Sequence, residues 1–226
     1  MSQLLSLVGR NQDTMTFKQA MKESDADQFQ TACTKELEDH AQPKHWSLIP
    51  RSQVPRGHRP IQSVWTMKRK RIPGTGVLQK HKARLCAHGS QQVYGVNYWE
   101  TYAPVVQWMS VRVMLCLSVV ESLHSRSIDF VLAYPQADLD IDMFMELPLG
   151  ADVPPGFDRR KYVLKLHKNL YGLKQAGHNW HVKLKTGLLD LGFKPCMMKS
   201  LPLVMVVPCE LKSQKCFDRH PMLMRR

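Results

Sequence analysis

The chain has 226 residues, of which 43% are hydrophobic and 23% charged, and its formal net charge at pH 7 is +13. This composition is that of a globular protein and excludes an intrinsically disordered chain. The excess of basic residues favours a polyanionic partner, nucleic acid before membrane. The first apolar run, residues 4–8, is too short for a signal peptide and follows no basic leader, so we predict an intracellular protein, cytoplasmic or nuclear, with no membrane-spanning segment.

The N-terminal quarter of the chain predicts one helix between two irregular stretches. Residues 1–23 follow no helical or strand period, which predicts a disordered segment. Phe29, Cys33 and Leu37 then recur every four residues behind a helix-start pattern at 24–27. This spacing predicts an amphipathic helix that ends near residue 40, followed by a short extended piece around Trp46.

Residues 61–87 predict a basic β-hairpin. A β-prone run at 64–67 and a second one at 77–78 flank the turn-forming residues 73–76. Between Thr66 and Gly89 there are seven bases and no acid, namely Lys68, Arg69, Lys70, Arg71, Lys80, Lys82 and Arg84. Two basic strands that face each other repel unless an anion lies across them, so we favour phosphate binding. Two alternatives are a solvated edge hairpin kept soluble by lysines and a nuclear-import signal at 68–71.

An aromatic loop and an apolar helix follow the hairpin. Residues 92–104 contain Tyr94, Tyr98, Trp99 and Tyr102, which either stack nucleobases or pack onto the edge of the core. Ser110 is a candidate N-cap for a helix over 111–124. Because this helix is apolar on most sides, we predict that it is buried.

The central stretch, residues 127–137, places one carboxylate within an apolar run. Asp129 lies between Ile128 and Phe130, where a predicted strand makes a lone acid unfavourable unless a cation or another partner binds it. The alternative is that Asp129 caps a turn or pairs with an arginine. The row Asp138, Asp140 and Asp142 shares one face of an extended segment and is better explained as solvated acids than as a calcium loop.

The remaining sequence predicts two more strands, a helix and a tail of different composition. Residues 143–147 and 162–166 have strand patterns, and a helix opens within 170–177 and ends near Gly192. After Phe193 neither period persists. We therefore predict that residues 196–226 form a separate tail, disordered and outside the fold, with the ordered fragment over 24–195.

Four stretches, taken in order, resemble the reverse transcriptase domain of copia-type retrotransposons. They are Lys80-His81-Lys82-Ala83-Arg84-Leu85-Cys86-Ala87-His88-Gly89, Tyr98-Trp99-Glu100-Thr101-Tyr102-Ala103-Pro104-Val105-Val106, Ile128-Asp129 with Ala133-Tyr134, and Leu170-Tyr171-Gly172-Leu173-Lys174-Gln175-Ala176 with Trp180. The resemblance implies an α+β, right-hand polymerase fold with basic fingers and an incomplete palm. It implies RNA-directed DNA polymerase chemistry with Mg²⁺, a template-primer of RNA or DNA, and deoxynucleotides as partners.

The resemblance also assigns roles to individual residues. Asp129 would be the catalytic, metal-binding aspartate of the palm, and Tyr134 would lie below the incoming sugar and exclude a 2′-hydroxyl. Gln175 would pack on the nucleotide and template. Lys82 or Arg84 would approach the triphosphate. Apart from the resemblance, the charge of the hairpin predicts that Lys68, Lys70 and Lys80 bind nucleic acid.

One departure from the family pattern bears on activity. The second catalytic motif, Tyr-x-Asp-Asp, is expected soon after residues 192–195, yet the chain has no Asp-Asp pair. We therefore predict a fragment of a reverse transcriptase, truncated before that motif and inactive on its own. Two alternatives remain: a non-catalytic nucleic-acid-binding module, and a pseudogene product with no selected role.

Overall fold

The structure is a computed structural model that describes residues 13–122, 128–151, 156–195, 205–206 and 224–225. Helices and strands both occur in it, which confirms the α+β class. In chain order the elements are β1 (Thr14–Met15), α1 (Phe17–Ala20), α2 (Ala26–Ala41), β2 (Trp46–Pro50), β3 (Ser63–Arg71), β4 (Leu78–Ala87), α3 (Trp108–Val120), β5 (Asp129–Phe130), β6 (Asp138–Met145), β7 (Tyr162–Lys168), α4 (Ala176–Asp190), β8 (Lys194–Pro195), β9 (Met205–Val206) and β10 (Met224–Arg225).

The chain divides into two compact units. The first unit comprises Met1–Trp99 and Leu139–Lys174, and the second comprises Glu100–Asp138 and Gln175–Arg226. The predicted fingers/palm fragment over 24–195 extends across both units.

The β3–β4 hairpin is the main element of the first unit, as the sequence predicts. Its strands are antiparallel, with Trp65 opposite Leu85 and Met67 opposite Ala83, so these side chains share one face. That inner face packs on α2, whose Phe29 and Cys33 are fully buried with Met67 and Leu85. Burying each large apolar side chain contributes roughly 1.5–3 kcal/mol, and the alternation of apolar residues along both strands is what allows it.

A second sheet completes the first unit. Its strand order is β2-β7-β6, and β7 pairs with β2 in an antiparallel register that sets Trp46 opposite Leu166. Val163, Met143 and Met145 are almost fully buried in this sheet. The predicted strands at 143–147 and 162–166 are therefore present, and the row of aspartates belongs to the same strand as Met143.

Part of the segment predicted to be disordered is ordered. Within residues 1–23, β1 pairs with β3, with Thr14 opposite Lys68, and α1 follows directly. Carboxylates of this segment and of the α2 N-terminus bind arginines that extend from the inner face of β3. The expectation fails because these ion pairs join residues far apart in sequence and leave no local period.

A buried histidine pair lies where α2 is followed by β2. His40 Nδ1 is 2.8 Å from His45 Nδ1, and both side chains are almost completely buried. The ring of His40 also stacks on Trp46, with centroids 4.9 Å apart. Burial, reinforced by repulsion from His40 and Lys168, lowers the pKa of His45 to about 4.

In the second unit, α3 is a helix whose apolar side chains are largely unburied. It begins at Trp108 rather than at 111, and Gln107 occupies the N-cap in place of the predicted Ser110. Trp108 and Val119 remain 77% and 80% exposed. An apolar helix needs neighbours on several sides to be buried, and the described residues provide few of them.

The helix α4 organises the rest of the second unit. It begins at Ala176, within the predicted range 170–177, and the preceding residues Leu170 to Gln175 form a loop. Trp180 packs edge-on against Phe130, with ring centroids 5.0 Å apart. This contact holds the β5 region, which carries Asp129, against α4.

Four residues of the predicted separate tail belong to strands. Met205–Val206 pairs with Lys194–Pro195, and Met224–Arg225 pairs with Asp129–Phe130, both in antiparallel fashion. The expectation that the tail stays outside the fold is therefore wrong for these backbone segments. The remainder of 196–226 lies outside the described residues. Among the helices that the structure describes, none combines the length and apolar character needed to cross a membrane.

The buried histidine pair predicts a loss of stability in acid. Unfolded His45 gains a proton near pH 6.5, whereas in the folded chain it stays neutral until about pH 4. The free energy of unfolding should therefore be highest above pH 6.5 and fall by roughly 3 kcal/mol as the pH decreases to about 4. Urea denaturation at about pH 7 and about pH 5 measures this. His45→Asn, which does not titrate, should show a shallower pH dependence, and an unchanged dependence would contradict the assignment.

Candidate nucleic-acid interface

The outer face of the β3–β4 hairpin carries four lysines that oppose one another directly. Lys68 is opposite Lys82, and Lys70 is opposite Lys80. We call these four residues the lysine face; all are exposed. Among the ion pairs of the described residues, none includes a lysine of this face. Like charges directly opposite on a sheet are destabilising, and an anion across this face would relieve their repulsion.

Lys82 experiences the strongest effect of this crowding. Partial desolvation by the fold, together with repulsion from Arg84 and Lys80, lowers the pKa of its ammonium group, although the residue as a whole stays exposed. A bound phosphate would relieve the repulsion and favour the charged form.

The arginines on the inner side of the same hairpin have partners within the chain. Arg69 donates from Nε and Nη2 to the two carboxylate oxygens of Asp25, at 2.7 Å each, and Arg71 donates to Asp13 at 2.9 Å. His81 Nε2 lies 2.6 Å from the same Asp25 carboxylate. The hydrogen bonds from Arg69, and then from His81, hold the pKa of Asp25 well below its usual range. The expectation that the hairpin bases cannot be paired internally is thus wrong for Arg69 and Arg71.

Arg84 occupies the end of the outer face next to a second predicted motif. Its guanidinium lies 4.3 Å from the ring centroid of Tyr171, a cation–π contact. Lys82 and Arg84, the two candidates for the triphosphate contact, therefore lie on one side of the strand. Arg84 already has an aromatic partner, whereas the side chain of Lys82 is exposed.

Two of the stretches that carry the family resemblance are joined by backbone contacts. Ala87 N–H donates to the Tyr171 carbonyl at 2.8 Å, and Lys174 N–H donates to Gln92 Oε1, also at 2.8 Å. Gly89 and Gly172 approach so closely that a Cβ on either would overlap a backbone carbonyl of the other stretch. The sequence did not indicate that Gln92 accepts one of the hydrogen bonds that join the two stretches. Its side chain is only 4% exposed, and the donor, Lys174, lies 82 positions away in the chain.

The other predicted site residues belong to the second unit. Asp129 is exposed and begins the two-residue strand β5. Tyr134 is half-buried in a short 3₁₀ turn, Tyr134–Gln136, that packs on α4. Gln175 is only 2% exposed and occupies the N-cap of α4. The structure brings Asp129, Tyr134 and Gln175 into one unit and the predicted basic residues into the other.

The described residues do not assemble a complete metal centre. Across 13–122, 128–151 and 156–195, no group of three His, Cys, Asp or Glu side chains has the geometry to hold a metal ion. Asp129, the residue predicted to bind the metal, belongs to no such group there. The aspartates of β6 are exposed, as predicted, and two of them bind lysines: Asp142 lies 2.8 Å from Lys165, and Asp138 lies 3.6 Å from Lys183.

Comparison with known proteins identifies close family likeness in sequence. The family profile described as reverse transcriptase (RNA-dependent DNA polymerase) matches residues 44–203, which extends beyond residue 195, the predicted end of the ordered fragment. The chain is 39% identical over 151 residues to the retrovirus-related Pol polyprotein from transposon RE1 of Arabidopsis thaliana, covering 66% of this chain and 10% of that protein.

Two further relatives show the same relation. The chain is 30% identical to the retrovirus-related Pol polyprotein from transposon TNT 1-94 of Nicotiana tabacum, over 78% of this chain and 13% of that protein. It is 27% identical to the transposon Ty1-H Gag-Pol polyprotein of Saccharomyces cerevisiae, over 85% of this chain and 10% of that protein. The chain thus spans about a tenth of the length of the curated relatives it matches. No solved structure matches it significantly.

The close approach of the two joined stretches predicts that alanine is tolerated less well at Gly172 than at Gly57. Gly172 and Gly57 have φ of +90° and +93°, but a Cβ meets the Ala87 carbonyl only at Gly172 and open space at Gly57. Gly57→Ala should lower the free energy of unfolding by about 1 kcal/mol, the cost of a left-handed conformation. Gly172→Ala should lose about 2 kcal/mol more, or fail to fold, since backbone atoms must shift. Urea denaturation measures both, and equal losses would contradict the close approach.

Proposed function

The chain belongs to the reverse transcriptase (RNA-dependent DNA polymerase) family, and from that membership we propose that it forms the fingers and part of the palm of a retrotransposon polymerase. The first unit, with its basic hairpin, corresponds to the fingers in this proposal, and the second unit, with Asp129, to the palm. Its biochemical role is to hold template-primer nucleic acid and an incoming deoxynucleotide for RNA-directed DNA synthesis.

The observation that carries the proposal is the direct opposition of four lysines across β3 and β4. A solvated edge strand needs charge, but it does not need like charges in register, because these destabilise the hairpin. Phosphates spaced along a nucleic-acid strand neutralise such a row and release counterions. This favours backbone binding without sequence preference over a hairpin that is basic only for solubility.

The family membership gives the remaining site residues proposed roles. Lys82, exposed beside Arg84, is the better candidate for the triphosphate, because Arg84 stacks on Tyr171. Tyr134 would limit the space below the sugar, and Gln175 would support the nucleotide and template from the start of α4. Each of these roles is a proposal that substitution of the residue can test.

The chemistry of the family depends on Mg²⁺, which activates the attacking hydroxyl and stabilises the leaving pyrophosphate. In this chain Asp129 is the residue proposed to bind it, but one exposed carboxylate does not fit a two-metal centre, and the 226 residues contain no Asp-Asp pair. We therefore propose that this polypeptide binds nucleic acid without extending a primer. The same observation favours a non-catalytic nucleic-acid-binding role as the second candidate function.

Removing the lysine face should flatten the salt dependence of binding. Each lysine–phosphate contact to a single strand contributes roughly 0.7 to the slope of log K against log salt, so a quadruple alanine variant should lose about 2–3 in slope. Fluorescence anisotropy with a labelled single-stranded oligonucleotide over a salt series measures it. A charge-matched control replaces four exposed lysines elsewhere in the first unit, namely Lys18, Lys22, Lys35 and Lys161. If both variants lose the same slope, the binding surface is not the lysine face.

Restoring the second catalytic motif should create DNA synthesis that depends on Asp129. The chain alone should not extend a primed template. A chimera in which residues 197–226 are replaced by the segment of a copia-type relative that contains Tyr-x-Asp-Asp, together with the thumb and ribonuclease H regions of that relative, should synthesise DNA with Mg²⁺. Asp129→Asn should abolish that synthesis, because an amide is a poorer magnesium ligand than a carboxylate.

The matched control in the chimera is Asp140→Asn, which neutralises an exposed aspartate of β6. It should leave synthesis intact. Primer extension by the unmodified chain would refute the proposed inactivity, and an active Asp129→Asn chimera would refute the role of Asp129.

A further inference from the structure

Three aromatic residues of the loop that follows the basic hairpin form an exposed surface. Tyr94 is 69% exposed and Trp99 is 52% exposed, while Tyr98 between them is half-buried. We call these residues the aromatic patch. Large aromatic side chains lose favourable burial when they remain in water. Several exposed aromatic residues in one loop therefore indicate a binding surface.

The loop holds the patch in a fixed arrangement. Asn97 is buried and its Oδ1 accepts from Val93 N–H at 3.0 Å, and Gly95 N–H donates to the Tyr98 carbonyl at 3.0 Å. The rings of Tyr94 and Tyr98 meet edge to face, with centroids 5.7 Å apart. Because the loop is braced before any ligand arrives, binding on the patch requires little ordering of side chains.

Two cation–π pairs, one in the patch and one on the outer face of β4, are joined by the chain from Tyr171 to Lys174. Lys174 Nζ lies 3.0 Å from the Tyr98 hydroxyl and 4.5 Å from the centroid of its ring. Three residues earlier in the chain, Tyr171 receives the guanidinium of Arg84, which belongs to the outer face of β4. Aromatic rings with intervening cations thus extend the basic surface within the first unit.

We propose that the aromatic patch is a stacking platform for unpaired nucleobases of a single-stranded nucleic acid whose phosphates lie on the lysine face. The proposal rests on the proposed function of that face. Every base offers a π-face to an aromatic ring, so stacking adds affinity without sequence readout. Bases within a duplex already stack on one another and leave no face for the patch. Lys174 and Arg84 make the surroundings positive, which suits a polyanion better than an apolar protein partner.

The test compares two oligonucleotides of equal length and phosphate charge, one with natural bases and one with abasic sites throughout. The full chain should bind the base-carrying strand about tenfold more tightly at the same salt concentration, the effect expected of one to two stacked bases. Tyr94→Ala combined with Trp99→Ala should reduce this ratio towards one, while affinity for the abasic strand and its salt dependence stay unchanged. Tyr94→Phe and Trp99→Phe, which keep the rings, should preserve the ratio.

The matched control is Tyr102→Ala, which removes an equally exposed tyrosine outside the patch and should leave the ratio as in the wild-type chain. Circular dichroism verifies that each variant is folded. Equal binding of both strands by the wild-type chain would overturn the stacking platform and leave the proposed function of the lysine face intact. Failure to bind either strand would overturn the proposed function itself, and the stacking platform with it.

Discussion

The ion pair between Arg69 and Asp25 decides which charges of the basic hairpin are available to a partner. Both side chains are mostly buried, at 16% and 19% exposed, and the guanidinium donates two hydrogen bonds to one carboxylate. A half-buried arginine without this partner would be strongly destabilising on the inner face. The pair also joins the start of α2 to β3 and fixes the side of the hairpin that packs on the helix. The opposite side carries the lysines, so the charges that stabilise the fold and the charges proposed to bind nucleic acid lie on opposite faces of the hairpin.

The elements that follow a local period could be predicted from the sequence. The alternation along β3 and β4, the four-residue spacing of Phe29 and Cys33, and the strand around Leu164 each reflect burial of one face, and the structure has all of them. Features that depend on distant partners could not be predicted. The order of residues 13–23 comes from carboxylates that bind β3, and the burial of His40 and His45 comes from packing between α2 and β2. The exposure of α3 could not be predicted for the same reason. Its apolar sequence predicts burial, but burial also needs neighbouring elements that cover the helix.

The candidate site shows a similar contrast between composition and geometry. A run of seven bases without an acid makes the hairpin a candidate site, but only the register shows that four lysines oppose one another while two arginines bind acids. Asp129, Tyr134 and Gln175 could be selected through motifs, yet their environments differ: an exposed strand end, a half-buried turn and a buried helix cap. Motifs select candidate residues for a site, whereas the exposure of each residue depends on the elements around it.

The contact between Gly89 and Gly172 has a consequence for how this domain can change over time. Neither position has room for a Cβ, so a substitution at one cannot be compensated by a smaller residue at the other, because no smaller residue exists. The two stretches must therefore stay structurally matched to each other, although 82 positions separate Gln92 from its hydrogen-bond donor Lys174. A recombination event between them yields a working domain only when both parents hold these backbones in the same relative position. Crossovers that fall between residues 92 and 170 should survive less often in shuffled libraries than crossovers outside that interval.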